Sequence, residues 1–415
     1  MADIAYNNTY QYDGELTYWG AVEGEQPSLI VEVDTVSTYF IEVEDTDLSG
    51  VLAYDNIQAY DSGFKYSGEI EFTDITDKVE SVDIMRGKTN LMYDRFEAGT
   101  LRLKIADFNS DFLPTNTSSP YYPHIDTMRP IRVRSSWSGS TTNLFRGYID
   151  TWDISWQTGQ AWADVTVTAT DAFKILARRA TTFQGGAGDT PAVRLNGLLT
   201  DAGWSTAFRD IDTTNVTTLT QDSASTQNLL SRMQDVEFAE YGALYVDGTG
   251  RVTFKGRAAA YPSGTDYTLT DTGSGSPYTT VQATIDDETL YNFVSITAPL
   301  STAQEASDTV SQKSFGKREL VKTDVLVNSD AQALTLAQFI LAKQKDPAVR
   351  IRSVTVPTKN RLAATAVAVS AELMNTLSLT RSAPSSTLTA SLLIIGINHR
   401  ITQDNWVTTF ITTHQ

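Results

Sequence analysis

Histidine and acidic side chains are the groups in this sequence that could perform catalysis or bind a metal. The three histidines, His124, His399 and His414, occur in no H-E-x-x-H or paired helical arrangement, which is the spacing that a helix-borne zinc hydrolase site needs. His399 alternates with Ile397 and Ile401, so we predict a hydrogen-bonded strand residue there rather than a catalytic one. The chain has no cysteine, which excludes disulfides, thiolate metal ligands and cysteine nucleophiles.

Two short loops resemble parts of ligand-binding motifs without completing them. Asp45 to Gly50 reads D-T-D-L-S-G, the first half of a calcium-binding EF-hand loop, but Asn56 stands where the bidentate glutamate is needed. We interpret this segment as a turn between strands. The glycine-rich run Gly185 to Gly188 lacks the Lys-Ser or Lys-Thr that follows in a phosphate-binding loop. We interpret it as a linker within a domain boundary at Thr182 to Gly188.

Carboxylates are so abundant that their pairing along the sequence is uninformative. Acidic neighbours occur at Asp210 and Asp212, and at Asp286, Asp287 and Glu288. A glycosidase needs two carboxyl groups at a defined distance in space, which sequence spacing on loops does not define.

Three tryptophans, Trp152, Trp156 and Trp162, have the residue type of a sugar-binding platform. Their alternation within predicted strands favours packing in a core or an interface instead. No G-x-S-x-G, Walker or G-x-G-x-x-G motif is present in its required context. The sequence therefore predicts no catalytic, cofactor-binding or metal-binding residue, and no cofactor.

Composition narrows the class of protein further. The 415 residues are 41% hydrophobic and include 16 Phe, 7 Trp and 18 Tyr, enough for several folded domains. The N-terminal sequence M-A-D-I-A-Y-N-N-T-Y lacks the basic and apolar regions of an export signal, and no segment has the length of a membrane span. We therefore expect cytoplasmic synthesis without export. A net charge of −18 argues against stable binding to nucleic acid or to an anionic membrane.

Period-two alternation of apolar and polar residues dominates the stretch from Phe72 to Trp156. Strands are predicted around Val79–Ile84, Leu101–Ile105 and Ile131–Arg134, and again between Tyr148 and Trp156. Four such strands within about eighty residues predict a small, closed or nearly closed barrel.

The rest of the chain mixes helical and strand signals. Helices are predicted from Thr190 to Gly203, over Ser225–Tyr241 and over Ser329–Lys345, because cap residues flank apolar positions at helical spacing. A hairpin is predicted at Leu244–Phe254. Further strands are predicted at Ser28–Asp34, Thr38–Glu44, Trp162–Thr170, Tyr278–Thr284, Leu290–Thr297, Leu392–Ile401 and Trp406–Ile411. Asp171 is predicted to cap a short helix, and Gly273–Pro277 reads as a linker.

Several sequence blocks, taken in order, resemble the tail-tip or baseplate-hub family of phage minor tail proteins. The blocks are Phe72-Thr73-Asp74-Ile75-Thr76, Arg86-Gly87-Lys88, Asp94-Arg95-Phe96-Glu97-Ala98-Gly99-Thr100, Phe112-Leu113-Pro114-Thr115-Asn116, Met128-Arg129-Pro130-Ile131-Arg132-Val133 and Leu144-Phe145-Arg146-Gly147-Tyr148. Later matches are Tyr291-Asn292-Phe293-Val294 and a turn from Ser311 to Arg318. The resemblance covers about residues 66 to 415.

The resemblance implies an α+β, mostly β fold, with two small β-barrel hub domains and interleaved small α/β domains. The predicted segments are an acidic β-rich extension (1–65), a first barrel (66–180), a small α/β domain (181–262), the first part of a second barrel (263–328), a helix (329–348) and strands completing that barrel (349–415).

The same resemblance implies a non-enzymatic virion protein, assembled in the host cytoplasm as a homotrimer at the tail tip. It implies contacts with distal tail or tail-tube proteins, the tape measure protein and tip fibre or spike proteins, and a channel through which DNA only passes. A tail-associated peptidoglycan hydrolase and a receptor-binding tip protein are the alternatives.

The charge of the chain predicts an acidic channel wall, since a basic wall would hold DNA in place. Six basic residues of the first barrel are then expected in salt bridges or subunit contacts. They are Arg102, Lys104, Arg129, Arg132, Arg134 and Arg146.

Overall fold

The computed structural model describes most of the chain and shows many strands and few helices. The described residues are 27–35, 72–88, 95–159, 161–222, 225–272, 275–285, 287, 289–346, 349–358, 361–382 and 387–414. The strands are β1 (Ser28–Asp34), β2 (Phe72–Asp74), β3 (Val79–Gly87), β4 (Glu97–Asp107), β5 (Pro130–Trp137), β6 (Ser140–Ser155), β7 (Ala163–Thr170), β8 (Ala180–Thr181), β9 (Arg209–Ile211), β10 (Gln227–Asn228), β11 (Ala243–Val246), β12 (Val252–Lys255), β13 (Tyr267–Thr270), β14 (Thr280–Ile285), β15 (Phe293–Ile296), β16 (Gln304–Ser307), β17 (Glu319–Lys322), β18 (Val349–Pro357), β19 (Thr376–Ser382), β20 (Thr387–Thr402) and β21 (Asn405–His414). The α-helices are α1 (Phe173–Leu176), α2 (Pro191–Asp201), α3 (Leu229–Glu240), α4 (Arg257–Ala260), α5 (Thr309–Phe315), α6 (Asp330–Gln344) and α7 (Leu362–Ser370).

Thirteen strands form one continuous sheet. Its order is β14-β18-β21-β20-β3-β4-β7-β6-β5-β1-β2, with β19 also paired to β20 and β13 paired to β19. The mostly β, α+β class is therefore confirmed. Most of the strands expected in two barrels share this one sheet, and among the described strands no pairing closes the sheet on itself. The link is the β3–β20 ladder, which joins the first part of the chain to its C-terminal strands.

A first core forms where the predicted alternation buries one side of β1, β3, β4, β5 and β7. Val31, Leu103 and Val167 are completely buried, and each such side chain contributes about 1.5–3 kcal/mol relative to exposure. Ile401 and Trp406 complete this core from the end of the β20–β21 hairpin. The last strands of the chain therefore stabilise its first part.

The N-terminal strand β1 is an integral part of the first core. It pairs with β5 from Ser28 opposite Ser136 to Val33 opposite Ile131, and with β2 on its other edge. The prediction of a strand at Ser28–Asp34 is confirmed, whereas its placement in a separate extension is not. Thr38–Glu44 and Asp45–Gly50 lie outside the described residues.

A second core joins the C-terminal part of the main sheet to two small α/β units. One unit holds the mixed sheet β11-β12-β9 with α2 and α3, and the other holds β16-β15-β17 with α6. Leu290–Thr297, expected as a strand of the second barrel, contributes β15 to this small sheet instead. Its pairing with β17 is parallel, and such a connection leaves no local turn signal in the sequence.

Capping residues account for the helices that the sequence predicts correctly. Thr190 caps α2 by accepting from the Val193 N–H, and Ser329 caps α6 by accepting from the Gln332 N–H. Helix α3 begins four residues later than predicted, because Asn228 is its cap and forms part of β10.

Three helices were not predicted, and one of them, α4, is a single turn. Ser311 to Arg318, interpreted as a turn, contains most of α5, which Asp308 caps and Gly316 ends. Helix α7 lies in a region predicted to be strand-rich and reads L-A-A-T-A-V-A-V-S. A helix with so few polar residues has no amphipathic period to detect.

Candidate functional site

Several residues that carry the family resemblance meet where the two cores join. Arg86, only 3% exposed, donates from Nη1 to Glu372 Oε1 at 2.6 Å. Glu372 Oε2 accepts from the Gly248 N–H at 3.0 Å, which connects β3 to the β11–β12 turn. Gly87 has φ +89°, and a Cβ there would lie 2.3 Å from the carbonyl oxygen of Ile395. Within the Arg-Gly-Lys block, Arg86 is therefore held by an ion pair, and Gly87 is constrained by its close contact with the β20 backbone.

Asp171 holds a second block in place at the same junction. Its carboxylate accepts from the Gly99 N–H at 2.6 Å and the Phe173 N–H at 2.9 Å. As predicted, Asp171 accepts from a first-turn amide of α1, although Ala172 is the residue at the cap position of this helix. The bond to Gly99 adds a long-range contact. Burial raises the pKa of the Asp171 carboxyl to about 7, although both backbone donors and Arg86 favour its ionised form.

Glu237 is a further buried carboxyl group near this junction, and it makes stability depend on pH. Burial raises its pKa to about 7, against the opposing effects of Lys88, the Leu244 N–H and Arg95. Because the pKa of Glu237 is higher in the folded protein than in the unfolded chain, the protonated carboxyl group stabilises the fold. This stabilisation is complete below pH 4.5, the pKa of the group in the unfolded chain, and is lost as the pH rises to 7.

We expect the Glu237→Gln variant to lack this pH dependence. Relative to the variant, the wild type should lose about 3 kcal/mol of unfolding free energy between about pH 4 and pH 8. Urea unfolding at several pH values measures the difference. Glu97→Gln, at an exposed position, is the control, and an equal effect at both positions would contradict the assignment.

The candidate assembly surface is the exposed face of the main sheet, opposite the first core. Strand register places its residues in rows. One row runs Thr355, Thr409, Asn398, Met85, Thr100, Thr170, and the next runs Val407, Arg400, Asp83, Arg102, Thr168, Thr151. Directly paired residues of an antiparallel ladder point to the same side of the sheet. The face is therefore continuous from β18 to β6 and rich in threonine.

Charges of both signs alternate across this face. Arg400 lies 4.0 Å from Asp83, and Arg102 is the cross-strand partner of Asp83. In the next row, Lys104 and Asp153 both pair with Thr166 of β7. Two shallow depressions on the face share Met85 and Asn398. Such a surface offers hydrogen-bonding groups over a wide area but no concentrated charge.

The six basic residues of the first barrel that were expected in salt bridges or subunit contacts differ in the groups they contact. Arg132 and Arg134 each form an ion pair with Glu32 at 2.7 Å, so the expectation of salt bridges is confirmed for these two. Burial opposes ionisation of Glu32, but the two guanidinium groups outweigh it and lower its pKa.

The other four basic residues lie in different environments. Arg129 contacts His124 Nδ1 at 2.7 Å, and Arg146 lies against aromatic rings. Arg102 and Lys104 lie on the exposed sheet face.

The histidines are dispersed in the structure. His399 is 1% exposed, and its Nδ1 lies 2.9 Å from Thr408 Oγ1, which confirms a hydrogen-bonded strand residue. Burial and the nearby Arg86 lower its pKa to about 3. His414 lies at the end of β21. Within the described residues no group of three potential metal-ligating side chains is present.

The carboxylate pairs and tryptophans also have structural contacts. Asp212 accepts from the N–H groups of Thr214 and Gly256, and Asp287 forms an ion pair with Arg318. Asp286 and Glu288 lie outside the described residues. Trp152 packs on Phe112, with ring centroids 5.6 Å apart. Trp156, 62% exposed, and Trp162, which contacts Phe108, lie at the ends of β6 and β7.

The glycine-rich loop interpreted as a linker encloses a buried arginine. Arg194 of α2 is fully buried and donates to Asp222 Oδ1 at 2.5 Å, while Arg232 of α3 contacts Asp222 Oδ2 at 2.6 Å. Arg194 also donates to the Gly186 carbonyl at 2.8 Å. Gly185 donates its N–H to Asp222. The loop is thus packed around Arg194, and Asp222 joins the two helices through its ion pairs with Arg194 and Arg232.

Two solved tail proteins have the same fold as this chain. The tail protein from Neisseria meningitidis MC58 is 12% identical, with a TM-score of 0.57 over 83% of this chain and 94% of that one. The 43 kDa tail protein of prophage MuSo2 from Shewanella oneidensis is 11% identical, with a TM-score of 0.56 over 94% of this chain and 97% of that one. No protein-family profile and no curated protein sequence matches the chain.

The predicted resemblance to phage tail proteins is therefore confirmed at the level of the fold. The match extends over nearly the full length of both chains, so it includes the main sheet and the small α/β units together. No helix in the described part of the chain is long and apolar enough to cross a membrane.

Proposed function

We propose that this chain is a structural protein of a phage tail, located in the virion at the tail tip and assembled in the host cytoplasm. Three copies form a hub whose ring adapts the sixfold symmetry of the tail tube to the threefold symmetry of the tip. The hub surrounds the channel used by the tape measure protein and by DNA in transit. It has no catalytic role, binds no cofactor and does not bind membranes stably.

The observation that carries this proposal is the nearly full-length fold match to a prophage tail protein. The main sheet supports it, because one sheet with two parts joined through β3 and β20 can present two similar surfaces per chain. Three chains with two such surfaces each would provide six positions in a ring.

The proposed partners are distal tail or tail-tube proteins on one side and fibre or spike proteins on the other. The exposed sheet face suits such contacts, because its threonines and paired charges form hydrogen bonds without demanding a strongly charged partner. Alternating charge also keeps this face from holding DNA as a basic surface would. An acidic channel wall, which we also propose, then requires carboxylates from other surfaces of the chain.

Stoichiometry in purified tails tests the proposal. We expect three copies per tail, measured by quantitative mass spectrometry against the tail-tube protein, whose rings provide an internal sixfold standard. Threefold density for this chain in images of the tip would agree. Six copies per tail, with each chain occupying one ring position, would contradict the trimeric hub.

A further inference from the structure

Two edges of the main sheet flank its exposed face and have the same pattern of side chains. One edge is β14, which ends the strand order and pairs with β18 alone among the described strands. The other edge is formed by residues 150–155 of β6. Strand β6 pairs with β5 only as far as Tyr148, and beyond Ile149 its pairing in the described part of the chain is with β7 alone.

We propose that β14 of one copy pairs with residues 150–155 of β6 in a neighbouring copy, so that the sheet continues from one copy to the next. This inference rests on the proposed function, because it requires copies of the chain to meet in the tail. It adds the two strands that form the contact between them.

Strand β14 lacks the features that protect most sheet edges. Its sequence, T-V-Q-A-T-I, contains no charged residue and no proline, and these residue types commonly block pairing with a further strand. The bulge in its ladder lies on β18, because Ser353 and Ile351 pair with the adjacent residues Gln282 and Ala283. Strand β14 is therefore regular and suited to accept a strand along its outer edge.

The core side of β14 is apolar but incompletely covered. Val281 and Ala283 pair with Val354 and Ile351, which are buried in the second core. Ile285 occupies the next position on this side and is 72% exposed. A strand added beside β14 would shield this apolar row from water, which favours the contact.

The core side of β6 ends in a matching apolar row. Trp152 and Ile154 pair with Val167 and Val165, which are buried in the first core. Both residues are half-buried, and Trp156 at the following position on this side is 62% exposed. Each edge therefore offers apolar surface to the other on the same side of the sheet.

The opposite side of both edges is polar and adjoins the exposed sheet face. The polar residues are Thr280, Gln282 and Thr284 on β14, and Thr151, Asp153 and Ser155 on β6. In the antiparallel register that overlaps all six residues of each edge, Gln282 lies opposite Asp153 and Thr280 lies opposite Ser155. This register keeps polar residues opposite polar residues, so the threonine-rich face continues across the contact.

Strand direction permits this contact between copies. Every neighbouring pair is antiparallel along the eight strands β14-β18-β21-β20-β3-β4-β7-β6. Strand β6 therefore runs opposite to β14, and rotation about an axis along the strands brings β14 of the next copy antiparallel to β6. Because two different edges meet, the contact is heterologous and can close into a ring.

Cysteine cross-linking in purified tails tests the pairing, because the chain has no cysteine of its own. One double variant is Gln282→Cys with Asp153→Cys, and the other is Thr280→Cys with Ser155→Cys; all four positions are exposed. Opposite and diagonal positions of paired strands lie within about 8 Å, in reach of a short bis-maleimide. Within one chain, six strands separate β14 from β6, roughly 34 Å along the sheet at about 4.8 Å per strand. Only chains in contact can therefore react.

We expect both double variants to lose most of their monomer band and to form covalent dimers and trimers on denaturing gels. The matched controls are the four single variants, which should remain monomeric because each cysteine then faces an unmodified edge. Their presence in tails also shows that each substitution is tolerated.

Three results would overturn the pairing. The first is the absence of cross-links in both double variants. The second is a covalent dimer in Gln282→Cys alone, which would show that β14 pairs with itself. The third is a cross-link from a single variant to a different tail protein, identified by mass spectrometry of the band.

Copy number, measured in the same tails, separates this inference from the trimeric hub. Three copies per tail without cross-links would overturn the pairing and support the hub. Cross-links with six copies per tail would support the pairing and contradict the trimer.

Discussion

Replacing Asp222 with alanine is expected to lower the free energy of unfolding by about 3–5 kcal/mol, because two buried guanidinium groups lose their shared carboxylate. Arg194 is completely buried, and the Arg232 side chain is 5% exposed. Without Asp222, the two positive charges would face each other in a poorly hydrated interior. Removing one partner of a buried ion pair costs much more than the pair contributes relative to an apolar replacement.

Chemical denaturation of the wild type and variant measures this effect. The control is Asp235→Ala, because Asp235 pairs with Arg95 at a site where both side chains are about half exposed, 49% and 48%. An exposed pair contributes about 0–1 kcal/mol. Similar losses in both variants would show that burial of the Asp222 network has no special importance.

Gly185→Ala is expected to have the second largest effect, a loss of about 3 kcal/mol or more. A Cβ at this position would lie 1.6 Å from Nε of Arg194, so either the loop or the arginine must move. The guanidinium cannot move freely, because Asp222, Asp189 and backbone carbonyls hold it. Overpacking a well-packed site costs about 1–3 kcal/mol, and breaking the buried ion pair would add to this.

The adjacent glycine provides a matched control for Gly185→Ala. At Gly186, an added Cβ would be no closer than 3.5 Å to any atom outside its immediate chain neighbours, and the nearest atom is Asp189 Oδ1. We expect Gly186→Ala to change the unfolding free energy by less than about 1 kcal/mol. If both substitutions were tolerated equally, the loop would not be packed around Arg194 as described.

Local patterns in the sequence predicted many elements correctly. The alternation in A-D-V-T-V-T-A-T predicts β7, and the Thr190-Pro191 pair predicts the start of α2, because both signals depend on a few adjacent residues. The hairpin at Leu244–Phe254 is confirmed as β11 and β12 for the same reason. Helix α7 was missed because an almost wholly apolar helix has no periodic signal.

The candidate surfaces were only partly predictable. Threonine alternation shows that β7 has a polar side, but the row that joins Thr168 to Arg102, Asp83 and Arg400 depends on the β3–β20 pairing. The residues of that ladder are more than three hundred positions apart in the chain. No local signal specifies such a pairing, because it forms only when strands distant in the sequence pack on a shared core.

The sequence alone determined the fold class, most strand positions, the absence of cysteine chemistry and the likeness to phage tail proteins. Each of these rests on composition or on short ordered blocks. The tertiary structure alone decided that β1 belongs to the first core, that Gly185 packs against Arg194, and that Arg194 and Arg232 share the buried carboxylate of Asp222. These features depend on contacts between residues that are distant in the sequence. Such contacts form only when folding brings the buried charges and the backbone segments together.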